Sequence, residues 1–214
     1  EAVYCEVMFD DATSGEVPEH QAFIYQAAIP ALEKLGVPVR VLRSEKTYTS
    51  VFMGKVTRGP KKGMIRSFPM CGKCYVQRDC KMHPIRQYQK TLPSDTVQYI
   101  GIAKDEPQRL ARLGGNQVSL LEKYGYTEDD AKQLCKQAGL LSPVYEFTDR
   151  GGCWFCPNAK LSELRHLYDH HPDLWQKMMR LQIVPGKVTE KFNRGQTFAD
   201  IDAMFREQDL QAAA

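Results

Sequence analysis

Hydrophobic and polar positions follow two periods along this chain, one strand-like and one helical. Residues 2–9 are rich in β-branched and aromatic side chains and read as a strand. Residues 10–19 are turn-rich. A helix is then predicted over 18–35, where Phe23, Ile24, Ala27, Ala28, Ala31 and Leu32 keep helical spacing, Pro30 predicts a kink and Gly36 a stop. Residues 37–42 give a second strand. Strand, helix and strand joined by short loops make a βαβ unit, which requires parallel pairing and a right-handed crossover.

The second half repeats the alternation. Residues 80–90 read as a helix with Pro84 near its start, where proline is tolerated. A third strand is expected over 96–102, then a polar loop over 103–112 entering a helix, and a short fourth strand over 118–121. Thr127 as N-cap with Asp130 in the first turn opens a helix that Gly139 closes. Residues 159–182 give two helices, the first with Leu161, Leu164, Leu167 and Tyr168 on its apolar face, the second with Leu174, Trp175, Met178 and Leu181. A loop and a terminal helix bearing Phe198, Ile201 and Phe205 on one side complete the chain. The fold class expected is α/β, a mostly parallel sheet flanked by helices, with a helical C-terminal part. Residues 1–150 form the α/β core in this reading, and residues 151–214 a cysteine-anchored helical part packed on it.

Composition changes this picture little. The chain has 214 residues, 43% hydrophobic and 26% charged, with a formal net charge of +3. That length suits one α/β domain, and a charge so small does not by itself argue for nucleic acid. No apolar run approaches a membrane span and no signal peptide opens the chain. Seven cysteines, bunched in C-x-x-C form, fit a reducing cytoplasm better than a secreted disulfide framework.

The cysteines carry the strongest chemical signal. Cys71, Cys74 and Cys80 form one cluster, Cys153 and Cys156 another about eighty residues on. A two-residue spacer lets both sulfurs of a pair address one ion, so two such pairs suggest a single iron–sulfur or structural zinc site. The alternative is that they are ordinary packed thiols, the reading that suits the isolated Cys5 and Cys135. His166, His170 and His171 follow closely in sequence: one could add a ligand, or all three could be packed or solvated. Residues 54–69 hold five positive charges and no acid, punctuated by Gly and Pro. They read as a surface loop rather than a packed element, either merely solvated or a cationic arm for an anionic substrate or nucleic acid. Lys104, Asp105, Glu106, Arg109 and Arg112 lie just past a predicted parallel strand, where open α/β sheets bind ligands.

Five segments in order resemble the phosphoadenosine phosphosulfate reductase family of the adenine nucleotide alpha-hydrolase (PP-loop) group. The loop from Asp11 through Thr13, Gly15 and Pro18 to Glu19 is similar to that family's Asp-Thr-Gly…Pro-Glu loop. The run from Arg78 through Lys81 to Pro84 resembles its Arg…Lys-x-x-Pro-Ile helix start. The stretch from Tyr99 to Asp105, Glu106 and Arg109 resembles its Gly-Ile-Arg-x-Asp-Glu-Ser…Arg segment. The run from Tyr126 to Asp130, then Tyr145, then Gly152-Cys153-Trp154-Phe155-Cys156-Pro157, matches its last third.

The resemblance implies a sheet of the adenine nucleotide alpha-hydrolase type binding an adenine nucleotide or sulfonucleotide. Asp11, Thr13 and Gly15 would sit by the adenosine, and Lys104, Arg109 and Arg112 would hold phosphate or sulfate. It favours a [4Fe–4S] cluster over zinc. The family's Ser-Gly-Gly-x-Asp-Ser phosphate loop has no counterpart here, since neither Gly114-Gly115 nor Gly151-Gly152 is followed by Asp-Ser. A further strand carrying that loop is therefore expected upstream. Residues 157–214 contain no cysteine, so the C-terminal nucleophile of the family's reductases has no counterpart either. The first cluster also differs from the adjacent Cys-Cys of the family's adenylyl-sulfate reductases. The runner-up function is a metal-stapled module that binds nucleic acid or protein through the 54–69 loop, without catalysis.

Overall fold

A computed structural model of the chain describes residues 1–69, 74–149 and 151–213. Strand β1 (Ala2–Glu6) pairs in parallel with β2 (Val39–Arg43), in register from Ala2 opposite Val39 to Glu6 opposite Arg43. Between them run α1 (Pro18–Phe23), a π-helical turn (Ile24–Ala28) and α2 (Ile29–Lys34), which completes the expected βαβ unit. The kink expected at Pro30 takes a specific form. The Ile29 N–H reaches back five residues to the Ile24 carbonyl, widening the turn just ahead of the proline ring. Gly36, at φ 75°, then ends the helix. The fully buried Glu6 carboxylate locks the unit, accepting from Tyr25 Oη at 2.7 Å and Gln21 Nε2 at 3.1 Å and pairing with Arg43 at 2.6 Å.

The same device recurs. A second π turn (Gln77–Met82) has the His83 N–H reaching Arg78 O, immediately before Pro84 and α4 (His83–Gln89). Helical backbone thus precedes Pro84, which lies inside the helical run rather than in its first turn. A second parallel pair joins β3 (Gln98–Tyr99) to β4 (Gln117–Val118), with α5 (Pro107–Leu110) between them. Strand β4 is shorter than expected. The Ser119 hydroxyl accepts from the Glu122 amide and caps α6 (Leu120–Lys123), so the two leucines expected in a strand start a helix. Helix α4 touches both pairs: Arg40 of β2 lies over the Tyr88 ring at 5.1 Å, and Gln89 donates to Gln98 at 2.8 Å.

The class is mixed α/β with short strands, grouped in two-stranded sheets among the described residues. Helix α7 (Glu128–Gln137) starts at the Thr127–Asp130 capping box, as expected. A 3-10 turn (Pro143–Glu146) leads to the second cysteine cluster, then to α8 (Leu161–His170) and α9 (Pro172–Gln182). The expected C-terminal loop also contains a hairpin, β5 (Lys191–Asn193) and β6 (Gln196–Thr197), turning through Arg194 and Gly195 at positive φ. Helix α10 (Phe198–Ala212) follows, capped by Thr197.

The main core unites both halves of the sequence. Phe9, Tyr48, Phe52, Phe68, Trp154 and Phe155 pack into one buried cluster with Leu164, Trp175, Met178, Phe198, Ile201 and Phe205. Each large aromatic buried here contributes about 2–3 kcal/mol by area. The basic 54–69 stretch is not simply a surface loop. Its arms close on each other between Lys55 and Ile65, Ile65 pairs with Lys187, and Ser67 and Phe68 are almost wholly buried. Val56, Met64, Ile65 and Phe68, scattered among lysines and glycines, show no period, so the packing of this segment lies in its tertiary partners. Among the described residues no helix is long and apolar enough to cross a membrane.

Candidate metal and nucleotide site

The segment after β1 folds back on itself because Asp10 holds it. The Asp10 carboxylate accepts from the Ala12 and Thr13 amides at 3.1 and 2.7 Å and from Lys177 Nζ at 2.7 Å. Burial pushes its pKa up, but the hydrogen bonds from Lys177, Thr13 and Ala12 outweigh it and bring the carboxyl down to about 2. The turn carries residues 14–16 alongside the second cysteine cluster. Glu16 pairs with Cys153, the Trp154 N–H donates to Gly15 O at 3.1 Å, and the Trp154 indole donates to Ser14 O at 2.9 Å. Gly15 is required by this approach: a Cβ there would stand 2.6 Å from Val7 O and 3.1 Å from the Phe155 ring.

Tyr48 is the centre of the arrangement. It opens α3 (Tyr48–Phe52), which Thr47 caps through a reciprocal bond with Ser50. Its ring lies 4.1 Å from Phe155 and 5.3 Å from Phe9, and it is fully buried. Its hydroxyl has no hydrogen-bond partner among the described residues. Burial first, then Tyr75, Cys74, Cys156 and Cys153, oppose its ionisation. Burial likewise raises the Cys153 thiol, and Glu16, Cys156 and Cys74 add to the rise while Lys81 opposes it. Cys74 is exposed and accepts the Gln77 amide at 3.3 Å. The turn holding Cys153 and Cys156 is closed by the Cys156 N–H on Cys153 O at 3.0 Å.

Cys74, Cys153 and Cys156, about eighty residues apart in sequence, all oppose ionisation of the Tyr48 phenol, but among the described residues their sulfurs do not form a group within 4.8 Å of one another. Cys80 is in the π turn before α4. It is fully buried, with its thiol pushed up to about 12 by burial and by Asp79 and Cys74, and the Cys5 thiol donates to its carbonyl at 3.8 Å. Cys71 lies outside the described residues. Cysteine thiolates are the ligands that a soft metal or an iron–sulfur cluster takes. The unpaired Tyr48 hydroxyl would fit such a group if metal-bound sulfur lay beside it, since the buried O–H would gain the acceptor it otherwise lacks.

The residues expected to bind nucleotide fall in two places. Asp11 is exposed, Thr13 is half-buried in the Asp10 turn, and Gly15 is buried against Val7 and Phe155. Lys104, Asp105, Arg109 and Arg112 are exposed and Glu106 is half-buried. Arg109 pairs with Glu106 at 2.5 Å, and Asp105 accepts the Glu128 amide at 3.0 Å, capping α7. Among the described residues no hydrogen bond or ion pair joins the two groups. Glu106 and Arg109 line an open cleft with Lys132 and Tyr145.

A second open cleft, of about 400 Å³, has Tyr75 in its wall and was not expected as a unit. Arg58, Arg66 and Arg78 line it together with Thr57, Tyr75 and Thr189. Arg78 meets Asp79 at 2.7 Å and Arg66 approaches the same carboxylate at 3.9 Å, so two of the three guanidinium groups share a single acid. The sequence signals for these features were weak. Thr47-x-x-Ser50 marks the helix that presents Tyr48, but nothing in the pattern marks its hydroxyl as the one left unpaired. Compared with protein-family models, with curated protein sequences and with solved structures, the chain matches none.

Proposed function

We propose that this protein binds an adenine nucleotide or sulfonucleotide in the manner of phosphoadenosine phosphosulfate reductases, beside a cysteine-held [4Fe–4S] cluster, with structural zinc as the alternative. The observation that carries the proposal is the Tyr48 hydroxyl, buried without a partner among the described residues, on a ring 4.1 Å from Phe155 of the Cys153–Cys156 turn. In this reading the two parallel pairs belong to one sheet of the adenine nucleotide alpha-hydrolase type, flanked by α4, and the setting is the cytoplasm. Arg58, Arg66 and Arg78, which line one cleft with Tyr75, supply charge-assisted donors for phosphate or sulfate. The exposed cations Lys104, Arg109 and Arg112 supply a second set. When bound, a cluster would store an electron near that anion, whereas zinc would only cross-link the two loops.

The test pairs two measurements on protein purified without oxygen. Elemental analysis is expected to find iron with acid-labile sulfide, or else stoichiometric zinc. Cys153→Ser and Cys156→Ser should lose that metal and melt at lower temperature, while Cys135→Ser, on the exposed side of α7, should do neither. Calorimetry should then show binding of ATP or adenylyl sulfate, weakened by Arg66→Ala. Protein that holds neither metal and ignores both nucleotides ends the proposal. The arginine cleft also favours a second reading, a metal-stapled module that takes nucleic acid along the basic 54–69 segment. Strongly salt-dependent binding of an oligonucleotide, with no response to nucleotides, would select it.

A further inference from the structure

Helix α1 meets the junction of α8 and α9 through three side chains capable of binding a metal, none of them a cysteine. His166 and His171 are five residues apart, and on an unbroken helix such residues point about 140° apart. Here the helix ends at His171, whose backbone (φ −131°, ψ 61°) leaves the helical region, and Pro172 starts α9. That break swings the His171 ring back to 5.8 Å from the His166 ring, centre to centre. Glu19, in the first turn of α1, meets both rings. His171 Nε2 lies 3.0 and 3.1 Å from its two oxygens, and His166 Nε2 lies 3.4 Å from Oε1.

We infer that Glu19, His166 and His171 form a binding site for one divalent transition-metal ion of the zinc type, separate from the cysteines. One ligand atom from each residue lies within 4.8 Å of the other two. Tetrahedral zinc with N and O ligands at about 2.0–2.1 Å sets ligand atoms about 3.3 Å apart, close to the spacing of Glu19 from each imidazole. Two histidines and one glutamate make a three-ligand set of the kind that leaves the fourth position to water. The side chains of Glu19, His166 and His171 are 33%, 19% and 14% exposed, which holds them in place while leaving an entry path. Phe147 stacks flat on His166, with ring centres 3.6 Å apart, and restricts the plane of that imidazole. His166 also lines a small cavity whose wall carries Cys153. The metal ties the first helix to a junction some 150 residues later. The inference stands apart from the nucleotide proposal and survives its failure.

The full chain, loaded with a slight excess of zinc, provides the test. X-ray absorption should detect zinc with a shell of nitrogen and oxygen at about 2.0–2.1 Å, distinct from sulfur at about 2.3 Å. Glu19→Gln and His171→Gln should each weaken this zinc by about 100-fold or more and leave thiol-bound metal unchanged. His170→Gln should leave both untouched, since His170 lies beside His166 but outside the triad. If either variant misfolds by circular dichroism, the shell in the unmodified chain decides. Absence of nitrogen- and oxygen-bound zinc, or its persistence in folded Glu19→Gln and His171→Gln, overturns the site and leaves a hydrogen-bonded clamp.

Discussion

The aromatic junction around Tyr48 and the segment from residue 96 to 139 share a grammar of local signals but differ in depth. Both contain reciprocally capped helices, α3 and α10 in the one and α7 in the other. In the junction those caps present side chains that vanish from solvent, among them Tyr48, Phe52, Phe198 and Ile201. Helix α7 buries no side chain, and Tyr99, Tyr124 and Leu134 remain exposed around it. Caps and periodicity decide where a helix forms, and burial decides how much the fold depends on it. Cys153 and Cys156 flank the deep region, while Cys135 is exposed on α7. The exposed cations Lys104, Arg109 and Arg112 lie in the shallow one.

Mutations should separate the two regions in order of cost. Trp175 is almost wholly buried, with its ring 4.2 Å from Phe198 and its indole donating to Asp202 at 2.7 Å. Trp175→Ala should lose about 3–5 kcal/mol in denaturant titration, enough to unfold a marginal protein. Gly15→Ala should cost about 1–3 kcal/mol, because the Cβ must displace Val7 O or the Phe155 ring. Loss of less than 0.5 kcal/mol (roughly the range of neutral surface changes) would mean that the two loops approach less closely than described.

A pH series tests the hinge of the deep region. The Asp10 carboxyl is held at about 2, below its ordinary value near 3.9 (about 3.9 in unfolded chains). A depressed folded pKa contributes stability above the unfolded value and loses it as pH falls toward the folded one. The unmodified protein should therefore lose stability between roughly pH 4 and pH 2 through this group. Asp10→Asn should be less stable by about 1–2 kcal/mol at neutral pH, and the gap should close over the same acid range. A gap independent of pH would exclude the Lys177 and Thr13 contacts as its source. The smallest effect is expected at Leu134→Ala, within about 0.5 kcal/mol, with α7 amides exchanging much faster than those of α9. Equal protection of α7 and α9 would erase the contrast.

The two regions were not equally legible in the sequence. The βαβ unit and the helices α7 to α10 followed from periodicity, proline and caps, because those signals act over a few residues. The apolar faces of α8 and α9 were read from spacing, and Leu164, Leu167, Trp175 and Met178 are indeed buried. The burial of Ser67 and Phe68 was not legible, since it depends on Thr189, Phe52 and Phe192 from elsewhere in the chain. Nor was Glu19 legible as a neighbour of His166 and His171, because its distance in sequence gives no sign of its distance in space. The pairing of Glu16 with Cys153 and the arginine cleft are tertiary in the same sense.

The π turns before Pro30 and Pro84 also constrain how the length of this chain can vary. Each holds one residue more than an α-helical turn, so side chains upstream are out of phase with those downstream by about 100°. Glu19 lies upstream of the first π turn. Deleting a single residue within 24–28 would restore a regular helix and rotate Glu19 by about a quarter turn relative to α2. It would then face away from His171 unless the whole unit shifted. Here the number of residues in a helix, more than their identity, sets which surface that helix shows to its neighbour.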